Sequence, residues 1–252
     1  MKLAAGVFIV FVALPAYSQD DKALQDALRK FGDDFTRAGA GDADKIAAVR
    51  TLAQYKSERT ARALTPSLTR GPVKVREAVA RELGNFHNVD GVSDSLIFAL
   101  RTYESTGKKT NPIRIHALRS LGQLKAKDAA PEVDKLIGEK DSWISKAAVD
   151  AAASIRVKSS IDPLIRALRR IEGPGGNGEM SINPLLEELP PVTVPAIVKN
   201  AVLLQAKPKS ERDILAEPIH GALKAITRTS FKTSKDWDGW WSKNKSTFKV
   251  SE

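Results

Sequence analysis

Few residues in this chain have the types and spacing that catalysis or ligand binding would need. Gly173-Pro174-Gly175-Gly176-Asn177-Gly178 is a literal G-x-G-x-x-G match. In a dinucleotide fold that pattern turns a strand into a helix and aims backbone amides at a pyrophosphate. Here the preceding segment IDPLIRALRRIE (161–172) has helical spacing, and Glu179 stands where a phosphate loop would continue with Gly-Lys. The hexapeptide is therefore expected to be a flexible connecting loop. The histidines are His87, His116 and His220, and none forms an H-x-x-x-H or H-E-x-x-H pair. His116 and His220 read as helix-packing residues with one polar edge. Cysteine is absent, which removes thiol chemistry and thiolate metal sites. There is no G-x-S-x-G elbow. Glu187-Glu188 and Asp20-Asp21 are sequence neighbours, which diverge on a helix rather than flank a cleft. No catalytic, cofactor-binding or metal-ligating residue is expected, and the chain reads as a non-enzyme.

The chain has 252 residues and a formal charge of +10. Lys2 followed by the apolar run Leu3 to Leu14 and by Pro15-Ala16-Tyr17-Ser18 has the layout of a secretory signal, with cleavage expected after Ser18. The run is shorter than the about 20 residues of a membrane span, and an uncleaved N-terminal anchor is the lesser alternative. Export, to the periplasm or medium, is the expected location, with no membrane span in the mature chain. A cysteine-free exported domain must rely on ordinary core packing. Positive charge concentrates late: between Lys199 and Lys249 eleven Lys/Arg stand against five Asp/Glu.

The elements that would hold these residues show a repeat. KIAAVRTLAQY (45–55), REAVARELGNF (76–86), RIHALRSLGQL (114–124) and SKAAVDAAASI (145–155) align without gaps. Their anchors Leu52, Leu83, Leu121 and Ala152 are 31, 38 and 31 residues apart. Apolar residues recur three and four apart in each, which is helical spacing. A second helical pattern follows each copy, with paired anchors Leu64/Leu68, Leu96/Leu100, Val133/Ile137 and Leu164/Leu168. Helix pairs at this period predict an all-α solenoid, a superhelix of about six antiparallel pairs.

VREAVARELGNF and IRIHALRSLGQL resemble the first helices of HEAT repeats, the group that includes the lyase-like repeats of pigment-attaching enzymes. Val75-Arg76 and Ile113-Arg114 match the opening of that pattern, and Leu83-Gly84 and Leu121-Gly122 match its close. Lys45 and Ser145 replace the Arg in the other two copies. The resemblance implies a stack of helix pairs whose second helices line a curved inner surface. Its lyase members imply a third, enzymatic reading, disfavoured by the expected export.

The organisation expected is a signal over 1–18, a capping helix over 19–40 and repeats one to four over 41–172. A Gly-rich loop (173–180), degenerate repeats (181–230) and a cap (231–252) follow. Within the degenerate part, 182–189 and 193–204 read as one helix pair, and Ile219 to Thr227 as another first helix. A solenoid's ends need covering. Trp237, Trp240 and Trp241 are spaced to share one helix face, with Phe231 and Phe248 flanking, so these five residues are expected to be the structural cap. Lys235, Asp238, Lys243 and Lys245 are expected to face solvent. The tail resembles one found in some exported bacterial HEAT-repeat proteins.

On the second helices, Arg62, Arg70, Arg101, Arg166, Arg169 and Arg170 lie near the anchors. Of these, Arg62, Arg101, Arg166, Arg169 and Arg170 are the candidate partner-binding residues. The first expectation is a scaffold binding an unidentified protein or peptide, acidic ones among the candidates. The second is a module for an anionic polymer such as a polysaccharide, with nucleic acid disfavoured. An ordinary solvated face accounts for the same arginines.

Overall fold

The computed structural model describes residues 17–37, 39–103, 110–173 and 210–250, and over these it contains helices and no strand. In chain order they are α1 (Tyr17–Thr36), α2 (Asp42–Leu52), α3 (Glu58–Leu64), α4 (Val73–Leu83), α5 (Val92–Thr102) and α6 (Asn111–Leu124). Then come α7 (Ala130–Leu136), α8 (Ser142–Ile155), α9 (Ile161–Glu172), α10 (Glu211–Thr227) and α11 (Ser234–Asn244). Short 3-10 turns extend α3 at Thr65–Leu68 and lead into α7 and α9.

The first helices α2, α4, α6, α8 and α10 stack in one row, each against the next. Each second helix packs on the first helix of the following pair: α5 on α6, α7 on α8, α9 on α10. This is an α-solenoid, and α1 lies against α2 at its start. Every anchor read from the sequence, from Leu52 to Ile226, is buried in one cluster that runs from Phe31 to Trp241. Burying the same side of each repeat is what joins the units, because no single pair can cover its own apolar face.

The Leu-Gly close of the first helices has a steric cause. A Cβ on Gly122 would stand 3.1 Å from the Ala151 Cα, so glycine lets α6 and α8 approach at that point. A Cβ on Gly84 would run into the side chains of Ser120 and Gln123. The Ser120 hydroxyl instead donates to the Ala80 carbonyl at 2.7 Å, a buried tie between α4 and α6. Similar ties recur: the Tyr103 hydroxyl donates to the Leu68 carbonyl at 2.7 Å, and Asn111 Nδ2 donates to Asp141 Oδ2 at 2.7 Å.

The second half differs from its sequence reading in two ways. The helix expected from Ile219 begins at Glu211 and passes through Pro218. Ser210 and Asp213 form a reciprocal capping box that starts it: Ser210 Oγ accepts from the Asp213 amide at 3.2 Å, and Asp213 Oδ2 from the Ser210 amide at 3.1 Å. Second, α10 packs directly on α8 and α9, the place of the next first helix. About six pairs are expected from the period, whereas the described residues form five, α2/α3 through α10/α11. The expected pair over 182–204 and the glycine loop beyond Gly173 lie outside the described residues. Gly173 itself ends α9 in extended backbone.

α11 continues the row of second helices. It packs on α9. Trp237 and Trp241 fall 11 and 15 residues after Ile226, against 12 and 16 for Leu164 and Leu168 after Ala152. The two tryptophans thus take the places of an aliphatic anchor pair.

Candidate functional site

The second helices present a row of exposed positions, each two residues past the first buried anchor: Pro66, Phe98, Lys135 and Arg166. Phe98 is the one large hydrophobic exposed among the described residues, with 60% of its surface open. It sits on α5 opposite the buried Leu96 and Leu100 face, and its exposure follows from helical geometry rather than from a missing neighbour.

The arginines expected to serve a partner are mostly engaged within the chain. Arg62 pairs with Glu58 one turn earlier on α3. Arg101 donates from Nε and Nη2 to Glu132 Oε1 on α7, at 3.0 and 2.6 Å. That bond, and a second from Lys135, hold the Glu132 carboxyl below its usual range against the opposing effect of burial. Arg169 of α9 donates to Asp238 of α11 from Nε at 3.1 Å and also from Nη2. Arg170 pairs with Glu211 at the start of α10. Arg166 is exposed and, like Arg70, makes no hydrogen bond or ion pair among the described residues. Arg101, Arg169 and Arg170 thus tie neighbouring helices through carboxylates. A continuous positive stripe, which an anionic polymer would require, is not what this face presents.

The helix α11 is fitted onto its neighbours by aromatic packing. Trp237 is fully buried and Trp241 nearly so, while Trp240 is half-buried between Phe231 and Phe248. Phe231 meets Trp237 edge-on at 4.9 Å between ring centres, and Phe248 meets Trp240 and Trp241 at 5.7 Å. The two indoles of α11 that enter the core have satisfied N–H groups, as is usual for buried tryptophans. Trp237 Nε1 donates to His220 Nδ1 at 3.2 Å, and Trp241 Nε1 donates to Asp162 Oδ1 at 2.9 Å.

Two residues expected to face solvent also form ion pairs there: Lys245, exposed, stands 2.8 Å from Asp162 Oδ2, and the partly exposed Asp238 holds Arg169. Lys235 and Lys243 are exposed. At the first turn of α11, Thr233 caps the helix by accepting from the Asp236 amide at 3.2 Å. The Ser234 amide is left to donate to Glu172 Oε2 at 2.9 Å, placing a carboxylate at the positive end of the helix. Burial pushes the Asp162 carboxyl up, but the bonds from Lys245 and Trp241 and the charges of Lys245 and Arg166 prevail, leaving it below its usual value.

Sequence reasoning missed a second charged feature. The helices α6, α8 and α10 end on Lys125, Arg156 and Arg228, all in the left-handed region at φ 52°, 54° and 60°. Such positions are usually read as glycine sites, so Lys and Arg there give no sequence signal. Among the described residues no group of three or more His, Asp or Glu side chains is placed to hold a metal, and no helix is long and apolar enough to cross a membrane.

Residues 106–172 match the family model described as HEAT repeats, a span that takes in α6, α7, α8 and α9. No curated protein matches the chain. The match falls on two successive pairs of an array whose other described pairs stack in the same way, so residues 106–172 carry HEAT repeats within a chain built as an α-solenoid.

Proposed function

We propose that the protein is an exported, non-enzymatic scaffold that binds a protein or peptide partner along the curved face of its second helices. The observation that supports this most is the stacking of the described helix pairs from α2 to α11, two of them matched as HEAT repeats, since repeat arrays of this kind offer extended surfaces for partners. Phe98 supplies an aromatic contact on that face, the residue class that dominates interface energetics. Arg166 and the exposed edges of the Arg101 and Arg169 pairs supply orientation more than affinity, as rim charges do. The apolar run at Leu3 to Leu14 supports export.

Photo-crosslinking groups placed at Phe98 and Arg166 test the binding reading. A discrete protein adduct at these positions, lost in Phe98→Asp without a change in melting temperature, is expected. Crosslinks only from the first-helix surface would refute it. Export is tested by the intact mass of protein recovered from the extracytoplasmic fraction, expected to begin at Gln19.

A further inference from the structure

The turns joining first to second helices form an edge of the array distinct from the second-helix face. Lys125, Arg156 and Arg228 recur there as the residues that end three neighbouring first helices, with Lys127 and Lys158 just beyond in the same turns. All five side chains lack a hydrogen bond or ion pair to any described residue, whereas Arg62, Arg101, Arg169 and Arg170 are all paired. Two carboxylates close in sequence are engaged elsewhere: Asp128 accepts from Ser93 at 2.8 Å, and Asp150 pairs with Lys146 at 2.7 Å. Five cations without an ion pair to a described residue thus recur along one edge of the array.

The left-handed backbone sharpens the point. A side chain at such a φ is disfavoured relative to glycine, and three successive first helices carry a long cation there instead. Attraction to the carbonyl ends of the helices recovers part of that cost. It does not require the charge to project into a groove, yet a groove is present. A hollow of about 440 Å³ lies between Lys125, Arg156 and Lys158, floored by Ile155, Val157 and Val250. A second of about 400 Å³ shares Lys125 and Arg156 and leads on to Ala225 and Arg228.

We propose that this edge docks an extended acidic peptide segment, its carboxylates meeting Lys125, Arg156 and Arg228 and one aliphatic side chain entering the hollow beside Val157 and Val250. The proposal rests on the scaffold reading and gives its partner a chemistry. Stacked helices lie about 8–10 Å apart, a distance that about three residues of extended chain span at roughly 3.3 Å each. Carboxylates at every third residue therefore match the cation spacing. Among the described residues no aromatic ring lines either hollow, so they offer bases no platform on which to stack. The helix C-termini behind the cations carry negative dipole ends, which disfavour a dense phosphate backbone more than widely spaced carboxylates.

The test is fluorescence anisotropy with the full chain and a labelled peptide of about twelve residues, with Glu at every third position and one central Leu. Binding is expected to weaken as salt rises through about 0.1 M, where surface charges are screened. The combined Lys125→Glu, Arg156→Glu and Arg228→Glu variant should lose at least about tenfold, since each exposed pair contributes modestly. Lys125→Arg with Arg156→Lys and Arg228→Lys should retain binding, and Leu→Ser in the peptide should weaken it. Should the reversal variant melt early, Lys125→Gln, Arg156→Gln and Arg228→Gln replace it.

Unchanged affinity in a stably folded variant overturns the proposal. So does equal binding of a single-stranded oligonucleotide or of the Leu→Ser peptide, which would mark a nonselective charged surface. If a protein partner crosslinked at Phe98 binds the variant as well as the parent, the edge assignment fails and the scaffold stands. If the peptide binds the edge while no protein is crosslinked, the edge stands and the scaffold reading fails.

Discussion

Asp162 shows how much one side chain can hold at the end of an array. It lies at the start of α9, accepts from Trp241 and Lys245 of α11, and has its carboxyl depressed by them. A carboxylate with a lowered folded-state pKa stabilises the fold above its unfolded value of about 3.9 and loses that contribution as pH falls through the folded value. The melting temperature is therefore expected to drop on acidification below about pH 4, and Asp162→Asn should flatten part of that dependence while lowering stability at neutral pH. A neutral-pH melt unaffected by the substitution would contradict this. Trp237 is the stronger determinant, being fully enclosed. Trp237→Ala should cost about 3–5 kcal/mol in denaturant unfolding, and Trp240→Ala distinctly less because its ring is half-exposed. The four-residue spacing of Trp237 and Trp241 is visible in the sequence. Their partners are not, because Asp162 lies 79 residues away from Trp241 and only stacking brings them together.

At the scale of helices, the first helices were legible wherever apolar residues recur three and four apart and close on Leu-Gly. Their glycines make separate predictions. Gly122→Ala sets a methyl group 3.1 Å from backbone of α8, which cannot yield cheaply, so a loss of about 1–3 kcal/mol is expected by thermal or urea unfolding. Gly84→Ala meets the side chains of Gln123 and Ser120. Gln123 is exposed and can swing aside, but Ser120 would have to give up its bond to Ala80. Its cost should appear mainly as that lost bond, about 1 kcal/mol. The start of α10 was not legible, because Pro218 reads as a boundary and the Ser210–Asp213 box lies eight and five residues before it. The basic turn edge was invisible for a related reason. A residue's left-handed conformation leaves no mark unless it is glycine, and alignment of successive turns exists only in the stack. Lys125→Gly and Arg156→Gly should leave stability level or raise it by up to about 1 kcal/mol, separating any binding loss from folding.

The molecule as a whole is a row of units, each stabilised chiefly by its neighbours. The last described pair is held by specific contacts: α11 carries indoles where earlier second helices carry aliphatic anchors, and it fastens to α9 through Arg169–Asp238, Glu172–Ser234 and Asp162–Trp241. Removing residues 231–252 should uncover the apolar side of α9 and α10 and lead to self-association, measurable by light scattering. A monodisperse, equally stable truncation would refute this role of α11 in covering α9 and α10. Two of the arginines that suggested a binding stripe, Arg101 and Arg169, are at this scale cross-braces between successive second helices, a role that needs acidic partners 31 and 69 residues away.

The placement of the indoles also has an optical consequence. Three of the four tryptophans sit in α11, with Trp240 and Trp241 stacked at 6.0 Å between ring centres, and the fourth, Trp143, begins α8. Intrinsic emission therefore reports mostly on the last pair, whereas far-ultraviolet circular dichroism averages over every helix. The two signals need not move together. An emission change that precedes the loss of ellipticity on heating would time the fraying of one end against the melting of the rest, and would give the free energy of that local opening without any added label.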